Sequence, residues 1–222
     1  MVRKSKADAL VTRQQLLDAA EQVFLSQGVA GTSLQQVAAA AGLTRGAIYW
    51  HFEDKAALFT AMLDRVTLPC ECAFDEARGA TPGDPCATLL GMAMAPLRAL
   101  SGHAQMQRVF RIAMHLTEYT GELAPVGERH RQAVAEFVQA MEQPCRALVP
   151  DAHGAALGLF GLVDGLMRQW TMDPSAFDLV AVGERAVRAY VAGLAAPAAT
   201  ASPPAAPAGS PRKSRAQPAR ST

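Results

Sequence analysis

The chain has 222 residues, of which 50% are hydrophobic and 18% are charged, and its formal net charge at pH 7 is only +1. This length allows one mid-sized core, or a small domain beside a larger one. The charge lacks the basic surplus of a protein that coats nucleic acid without regard to sequence. No apolar run approaches the roughly eighteen residues of a membrane span, and no apolar signal segment follows the basic amino terminus. We therefore expect a soluble, cytoplasmic protein with no membrane partner.

The first helix is expected from about Asp8 to Gln27, with Gly28 at its end. Residues 34–41 then place apolar side chains at the i, i+3, i+4 and i+7 spacing of a second helix. Gly42 falls where a tight turn needs a positive φ without a Cβ penalty. Two short helices joined by such a turn indicate a helix-turn-helix, whose second helix enters the major groove of DNA.

Small details of this unit support the prediction. Ala38 is small because the second helix of the motif crosses close over it, and Ile48 returns into the core. Thr32 and Ser33 start the first helix of the motif, where Gln35 or Gln36 completes a capping box. Thr44 is placed to cap the second helix.

The segment from Thr44 to Phe52 carries more polar and aromatic chemistry than packing alone requires. A guanidinium at Arg45 can bind guanine O6 and N7, whereas Tyr49, Trp50 and His51 can donate to phosphates. The alternative is that the aromatic side chains belong to the core, which we accept for Phe52 and in part for Trp50. The expected DNA contacts are Thr32, Ser33, Thr44, Arg45, Gly46, Ala47, Tyr49, Trp50, His51 and Lys55.

The rest of the chain predicts further helices and no convincing strand, so the expected fold is all-α with about nine helices. The further helices are expected at about 55–78, 86–101 (with a bend at Pro96), 104–119, 126–149, 152–172 and 175–195, with a loop at 81–85. We divide the chain into a DNA-binding domain at 1–54, a ligand-binding and dimerisation domain at 55–195, and a tail at 196–222. The tail is rich in proline and alanine, carries basic residues without an acidic one, and is expected to be disordered. We interpret it as a solvated extension; the alternative is that it adds non-specific DNA affinity.

The run TSLQQVAAAAGLTRGAIYWHFEDKAALF resembles the DNA-binding domain of the TetR family of transcriptional repressors. Together with MVRKSKADALVTRQQLLDAAEQVF and the later GLVDGLMRQWTMDPSAFDL, it resembles the AcrR/TtgR branch, the repressors of multidrug efflux operons. The resemblance covers about residues 1–194 and is dense in the first sixty. It implies a regulator, not an enzyme, that binds an operator and is released by small hydrophobic or aromatic compounds. The tail has no counterpart in the AcrR-like pattern.

The resemblance also places a ligand pocket among the carboxy-terminal helices, where many methionine and aromatic side chains can adapt to varied shapes. Most of these residues fit an ordinary core equally well. Asp164 lies in an otherwise apolar segment and needs a partner, so it belongs either to the pocket or to a structural salt bridge. Phe110 departs from the polar residue expected in this branch. The expected ligand-binding residues are Met62, Val66, Met92, Phe110, Met114, His115, Glu118, Phe137, Asp164, Met167 and Arg168.

Gly158, Gly161 and Gly165 form a stripe on one helix. Small residues let helices approach closely, either in the four-helix dimer interface typical of this family or within one monomer. Since a reader of DNA half-sites needs a two-fold partner, we expect a homodimer on a pseudo-palindromic operator.

Two other functions remain open. The cysteines Cys70, Cys72 and Cys86 could make the same scaffold a thiol or metal sensor, although with Cys145 they read more simply as reduced thiols of a cytosolic protein. A remote alternative is a small hydrolase or metalloenzyme that uses His103, His115, Glu118 and His130, but no catalytic motif supports it. We expect no cofactor and no metal.

Overall fold

The computed structural model describes residues 6–66 and 83–196, and within these ranges every long element is an α-helix. The helices are α1 (Lys6–Gln27), α2 (Leu34–Ala40), α3 (Arg45–His51), α4 (Lys55–Leu63), α5 (Pro85–Gly102), α6 (Ala104–His115), α7 (Ala124–Cys145), α8 (Ala152–Met172) and α9 (Leu179–Ala195). A short 3₁₀ turn at Gly121–Leu123 precedes α7. The all-α prediction with about nine helices is confirmed for the described part of the chain.

Side-chain caps explain where most of these helices begin. Ser33 Oγ accepts from the backbone N–H of Gln36 at 3.3 Å, and Gln36 Oε1 accepts from the N–H of Ser33 at 2.8 Å. This reciprocal pair is the predicted capping box, with Gln36 as the partner. Thr44 caps α3 through the N–H of Ala47 at 3.2 Å, and Asp54 caps α4 through that of Ala57 at 2.7 Å. Each cap satisfies an N–H that has no partner inside its helix.

Gly42 has a φ of +67°, as the predicted turn between α2 and α3 requires. The N–H of Leu43 donates to the Ala38 carbonyl at 2.9 Å and closes the turn. Ala38 and Ile48 are fully buried beside it. The helix-turn-helix is therefore built as its sequence predicts.

Two cores organise the described residues. The amino-terminal core contains the buried side chains of α1 to α4 and, in addition, Val109 and Ile112 of α6, Leu123, and Val126 of α7. The second core joins α5 to α9. Within this core α4 and α6 both pack against α1. The domain boundary at residue 54 stays a prediction.

Several predicted helix ends were wrong. The helix α6 stops at His115 instead of Tyr119, because the Thr117 hydroxyl donates to the Ile112 carbonyl at 2.8 Å and the Leu116 carbonyl accepts from the N–H of Val29 at 3.0 Å. The last helix starts at Leu179 instead of Ser175, since Asp178 caps it through the N–H of Ala181 at 2.9 Å. The long helix α7 ends at Cys145, not Val149, with Pro144 in its last turn.

Several predictions concern residues outside the described ranges. They are residues 67–78 of the predicted fourth helix, the first two residues of the loop at 81–85, the cysteines Cys70 and Cys72, and the tail beyond Ala196. The fourth helix itself ends at Leu63, with Asp64 as its C-cap, so the predicted continuous helix from Lys55 toward Arg78 is not formed. In the described part of the chain, α5 continues through Pro96 without a break.

Candidate DNA-binding surface and ligand cavity

The helix α3 buries one face and exposes the other. Ile48 is fully buried, and Phe52, at the end of the helix, is 3% exposed. On the opposite face Tyr49 is 48% exposed and Trp50 is 72% exposed, so neither ring belongs to the core. The partial assignment of Trp50 to the core was therefore wrong. Large apolar side chains exposed on a short helix mark a surface that contacts a partner.

The polar groups of α3 are held in position by their neighbours. The Arg45 guanidinium carbon lies 5.5 Å from the centre of the Tyr49 ring, one helical turn away, in a cation–π contact. The Trp50 and His51 rings meet edge to face at 4.5 Å between their centres. Gly46 has no side chain and Ala47 has only a methyl group, so neither residue projects far from the helix backbone. The surface therefore presents a guanidinium and two aromatic rings around a low helix backbone.

Lys55 and Thr32, two of the predicted DNA contacts, also have partners within the fold. The Lys55 ammonium, on a side chain only 15% exposed, lies 3.3 Å from Glu122 Oε1 and donates to the Thr32 carbonyl at 3.2 Å. Thr32 is buried, and its hydroxyl donates to the Gly28 carbonyl at 2.7 Å. The sequence could not show these partners, because Lys55 meets them through the tertiary fold. The Lys55 side chain thus joins α4 to the segment between α1 and α2, and the contacts of both residues with DNA stay predictions.

A cavity of about 360 Å³ lies between the end of α4 and the helices α6, α7 and α8. Its walls are mostly apolar and come from Leu63, Val66, Met106, Val109, Phe110, Ala113, Met114, Val126, Ala133, Val134, Phe160 and Met167. Polar and charged groups stand at Tyr119, Arg129, His130, Arg131, Asp164 and Arg168. An apolar enclosure with a few polar groups is the usual form of a small-molecule site.

Asp164 and Arg168 form the charged pair of the cavity, with 2.7 Å between Asp164 Oδ2 and Arg168 Nε. The sequence left a pocket residue and a structural salt bridge as alternatives for Asp164; the side chain both lines the cavity and pairs with Arg168, and its contact with a ligand stays a prediction. Burial lowers the pKa of His130, as does the Arg168 charge, while Asp164 partly opposes them and Arg131 adds a further small decrease. The imidazole is therefore neutral at pH 7 and can donate or accept a hydrogen bond.

Tyr119 completes this polar cluster. Its hydroxyl donates to the Ala113 carbonyl at 3.1 Å. Burial raises the pKa of this hydroxyl, and the positive charge of Arg168 opposes the increase only in part. The ring lies nearly parallel to that of His130, with 6.3 Å between the centres. The cluster can orient a ligand that is apolar over most of its surface and polar at one end.

The glycine stripe of α8 divides into two parts. A Cβ at Gly158 would lie 2.2 Å from the Tyr190 hydroxyl, which donates to the Ala155 carbonyl at 2.9 Å, so Gly158 serves packing within the monomer. A Cβ at Gly161 or Gly165 meets nothing within 4 Å. These two glycines lie on an exposed face of α8, on which Leu157 and Met172 are also exposed.

Comparisons with known proteins agree with this architecture. Residues 16–62 match the model of the bacterial regulatory proteins of the tetR family. The HTH-type transcriptional regulator AcrR of Shigella flexneri is 34% identical over 202 residues, which cover 87% of this chain and 92% of that protein. The chain belongs to the TetR family.

Two solved structures extend the comparison. NalD, the secondary repressor of the MexAB-OprM multidrug efflux pump in Pseudomonas aeruginosa, is 36% identical with a TM-score of 0.75, covering 85% of this chain and 98% of NalD. SmeT, solved as a complex with triclosan, is 25% identical with a TM-score of 0.65, covering 87% of this chain and 98% of SmeT. Together with the AcrR and TtgR relatives, these matches confirm the AcrR/TtgR-like branch.

The protein is thus a DNA-binding transcriptional regulator, and the hydrolase alternative is wrong. Two of its candidate residues have partners elsewhere in the fold: His103 Nδ1 lies 2.8 Å from the Ala99 carbonyl, and His115 Nε2 lies 3.1 Å from the Thr171 hydroxyl. In residues 6–66 and 83–196, no helix is long and apolar enough to cross a membrane. Cys86 and Cys145 are free thiols, and burial raises the pKa of Cys145. The thiol-sensor alternative also involves Cys70 and Cys72, which lie outside these ranges.

Six of the predicted ligand residues line the cavity: Val66, Phe110, Met114, Asp164, Met167 and Arg168. The other five lie elsewhere. Met62 belongs to the amino-terminal core, and Met92 and Phe137 belong to the second core. His115 is bonded to Thr171, and Glu118 is exposed beyond the end of α6. Met62, Met92 and Phe137 are misassigned because burial alone does not distinguish a core residue from a cavity residue, and Glu118 because the helix ends before it.

Sequence reasoning missed the wall that α7 contributes. Val126, Arg129, His130, Ala133 and Val134 all line the cavity. Their spacing is i, i+3, i+4, i+7 and i+8, which is one face of a helix. The signal was present, but the two polar positions in the stripe, Arg129 and His130, hide it from a search for apolar periodicity alone.

Proposed function

We propose that this protein represses a multidrug efflux operon and leaves its operator when a small apolar or aromatic compound occupies the cavity. One observation carries the proposal: the cavity takes its walls from α4 and α6, the helices that also contribute to the core of the helix-turn-helix. A ligand that binds the two arrangements of these helices with different affinity shifts the equilibrium between them. The likeness to NalD supports an efflux operon as the target, and a DNA target places the protein in the cytoplasm.

The exposed face of α3 is proposed as the reading surface. Arg45 reads a base through guanine O6 and N7, and Thr44 supports it with a hydroxyl and a methyl. Tyr49, Trp50 and His51 contact phosphates, which fix position without reading sequence. Gly46 and Ala47 let the helix backbone sit deep in the groove, and the exposed Ser33 at the start of α2 remains a candidate phosphate contact.

The effector is proposed to be a compound with an apolar ring system and one polar group. The apolar walls would hold the rings, while Arg168, His130 and Tyr119 would bind the polar end. Triclosan, a chlorinated phenol bound by SmeT, has this chemistry and serves as a first probe. Its size suits a cavity of about 360 Å³.

A homodimer is proposed through the exposed faces of α8 and α9. On α9 this face includes the small residues Ala189, Ala192 and Gly193 beside the exposed Arg185 and Arg188, and on α8 it includes Gly161 and Gly165. Small residues on both helices allow a close approach between two copies. The two copies of α3 would then lie about 34–36 Å apart, or near a multiple of that distance, in major grooves of a pseudo-palindromic operator.

Replacing Gly161 with glutamate should dissociate this dimer. The substitution places a carboxylate without a partner in the interface on both copies, which costs several kcal/mol and raises the dimer dissociation constant at least about 100-fold. Sedimentation velocity of the full chain measures the mass. Gly102→Glu is the matched control, because a Cβ there also meets nothing within 4 Å but lies at the end of α5. A Gly161→Glu variant that sediments as a dimer would exclude this interface.

Operator binding tests the proposed function itself. A gel shift at moderate salt should show the full chain binding DNA from upstream of its own gene in preference to a scrambled duplex of equal length. Equal binding to both duplexes would refute the claim that it is a sequence-specific repressor.

A further inference from the structure

Glu21 of α1 is a carboxylate buried between three helices. Its side chain is only 4% exposed, although it carries a charge. Oε1 accepts from Arg65 Nη1 at 2.9 Å and from Gln105 Nε2 at 2.8 Å, while Oε2 accepts from Arg108 Nε at 3.2 Å. A buried carboxylate with three donors, two of them cationic, is held firmly, because losing any one of them weakens the compensation of its buried charge.

The three donors come from the two helical segments that form the near wall of the cavity. Arg65 lies just after α4 and also binds Asp18 of α1 at 2.6 Å. It stands between Leu63 and Val66, which both line the cavity. Each donor is therefore next in sequence to a residue that a ligand would touch.

The same arrangement recurs on α6. Gln105 is followed by Met106, and Arg108 is followed by Val109 and Phe110, all three of which line the cavity. One face of these turns contacts the cavity and the other binds Glu21. A small displacement of α6 away from α1 would lengthen the hydrogen bonds that Gln105 and Arg108 donate to Glu21, which now measure 2.8 and 3.2 Å.

We infer that Glu21 is the positioning residue that transmits occupancy of the cavity to the DNA-binding helices. This inference rests on the proposed function. When the cavity is empty, the carboxylate holds α1 against the end of α4 and the first turns of α6. When the cavity is filled, the wall moves outward, the hydrogen bonds to Glu21 rearrange, and α1 carries α2 and α3 to a new position. The linkage is electrostatic and local, so it can be removed without touching either the cavity or the DNA surface.

The test compares operator affinity with the cavity empty and filled. Ala133→Trp fills the cavity from α7, a helix that gives no donor to Glu21, and triclosan fills it without changing the chain. The operator is a duplex that the wild-type protein selects from random sequence. In the wild-type background, filling should weaken operator binding about 5- to 150-fold, the usual range of allosteric coupling.

In a Glu21→Gln background the same filling should weaken operator binding less than about 3-fold. Arg108→Gln is a milder second variant, because it removes one donor and leaves Arg65 and Gln105 on the carboxylate. For Arg108→Gln, filling the cavity should weaken operator binding by a factor between those of the wild type and Glu21→Gln. Arg146→Gln is its matched control, since Arg146 is an exposed arginine in an i,i+4 pair with Glu142, outside the cavity lining and outside α8 and α9, and it should retain the wild-type ratio.

The ratio of the operator affinities with the cavity empty and filled distinguishes a role of Glu21 in transmitting occupancy from a role in stability alone. A purely structural role for Glu21 would lower the melting temperature and the affinity of both states while leaving their ratio unchanged. The inference is overturned if both Glu21→Gln and Arg108→Gln keep the wild-type ratio of operator affinities. If Glu21→Gln does not fold, a wild-type ratio in Arg108→Gln alone overturns it. If neither Ala133→Trp nor triclosan weakens operator binding in the wild-type background, the proposed function fails first, and the inference fails with it.

Discussion

Replacing Arg45 with alanine should weaken operator binding about 5- to 150-fold, which corresponds to about 1–3 kcal/mol for one bidentate contact with a base. Arg45 is exposed on α3, and its guanidinium is held over the Tyr49 ring without a carboxylate partner among the contacts of the described residues. The loss should therefore appear in DNA binding and leave the free energy of unfolding almost unchanged. Fluorescence anisotropy with operator and scrambled duplexes measures both affinity and discrimination.

Arg45→Lys is the informative control. Lysine keeps the positive charge but loses the planar fork that binds two acceptors of one guanine. We expect the lysine variant to keep most of its affinity for the scrambled duplex and to lose discrimination for the operator. Equal discrimination by wild type, Arg45→Lys and Arg45→Ala would contradict the assignment of base reading to this residue.

Replacing Phe59 with alanine should lower the free energy of unfolding by about 3–5 kcal/mol, the usual cost of truncating a fully buried phenylalanine. Phe59 of α4 is fully buried. Its ring meets Phe24 of α1 edge to face at 6.1 Å between centres and meets Tyr119, beyond the end of α6, at 6.3 Å. The ring thus joins the helix-turn-helix to the region of the cavity, and its loss leaves a void between them.

Urea denaturation of the full chain measures this loss. Phe177→Ala is the control, because Phe177 is half-buried in the turn between α8 and α9 and should cost clearly less. A Phe59→Ala variant that loses less than about 1 kcal/mol would show that the amino-terminal core does not depend on this contact.

The amino-terminal unit could be predicted from sequence because its signals are local. The capping box at Ser33, the positive φ at Gly42 and the cap at Thr44 each involve residues within a few positions of one another. Facing was also predictable for Ile48 and Phe52, since helical spacing fixes which side chains share a side. Trp50 escaped this reasoning because a large aromatic residue is normally read as core.

Other features depend on tertiary contacts that the sequence does not show. Lys55 reads as an exposed lysine at the start of a helix, but Glu122, far along the chain, pairs with it. The end of α6 is set by bonds to the Leu116 carbonyl and from the Thr117 hydroxyl, neither of which follows from helix propensity. The cavity depends on which face of α7 turns inward. Glu21 was hidden for the same reason, since its three donors lie 44 or more residues away.

The dependence of operator affinity on triclosan tests the central claim most directly. Anisotropy of a labelled operator duplex is measured with the full chain at fixed salt, with and without saturating triclosan. The account predicts that triclosan raises the operator dissociation constant at least about 5-fold and that the operator weakens triclosan binding by the same factor, because the coupling is reciprocal. Triclosan that binds in the cavity and leaves the operator dissociation constant unchanged would contradict the account.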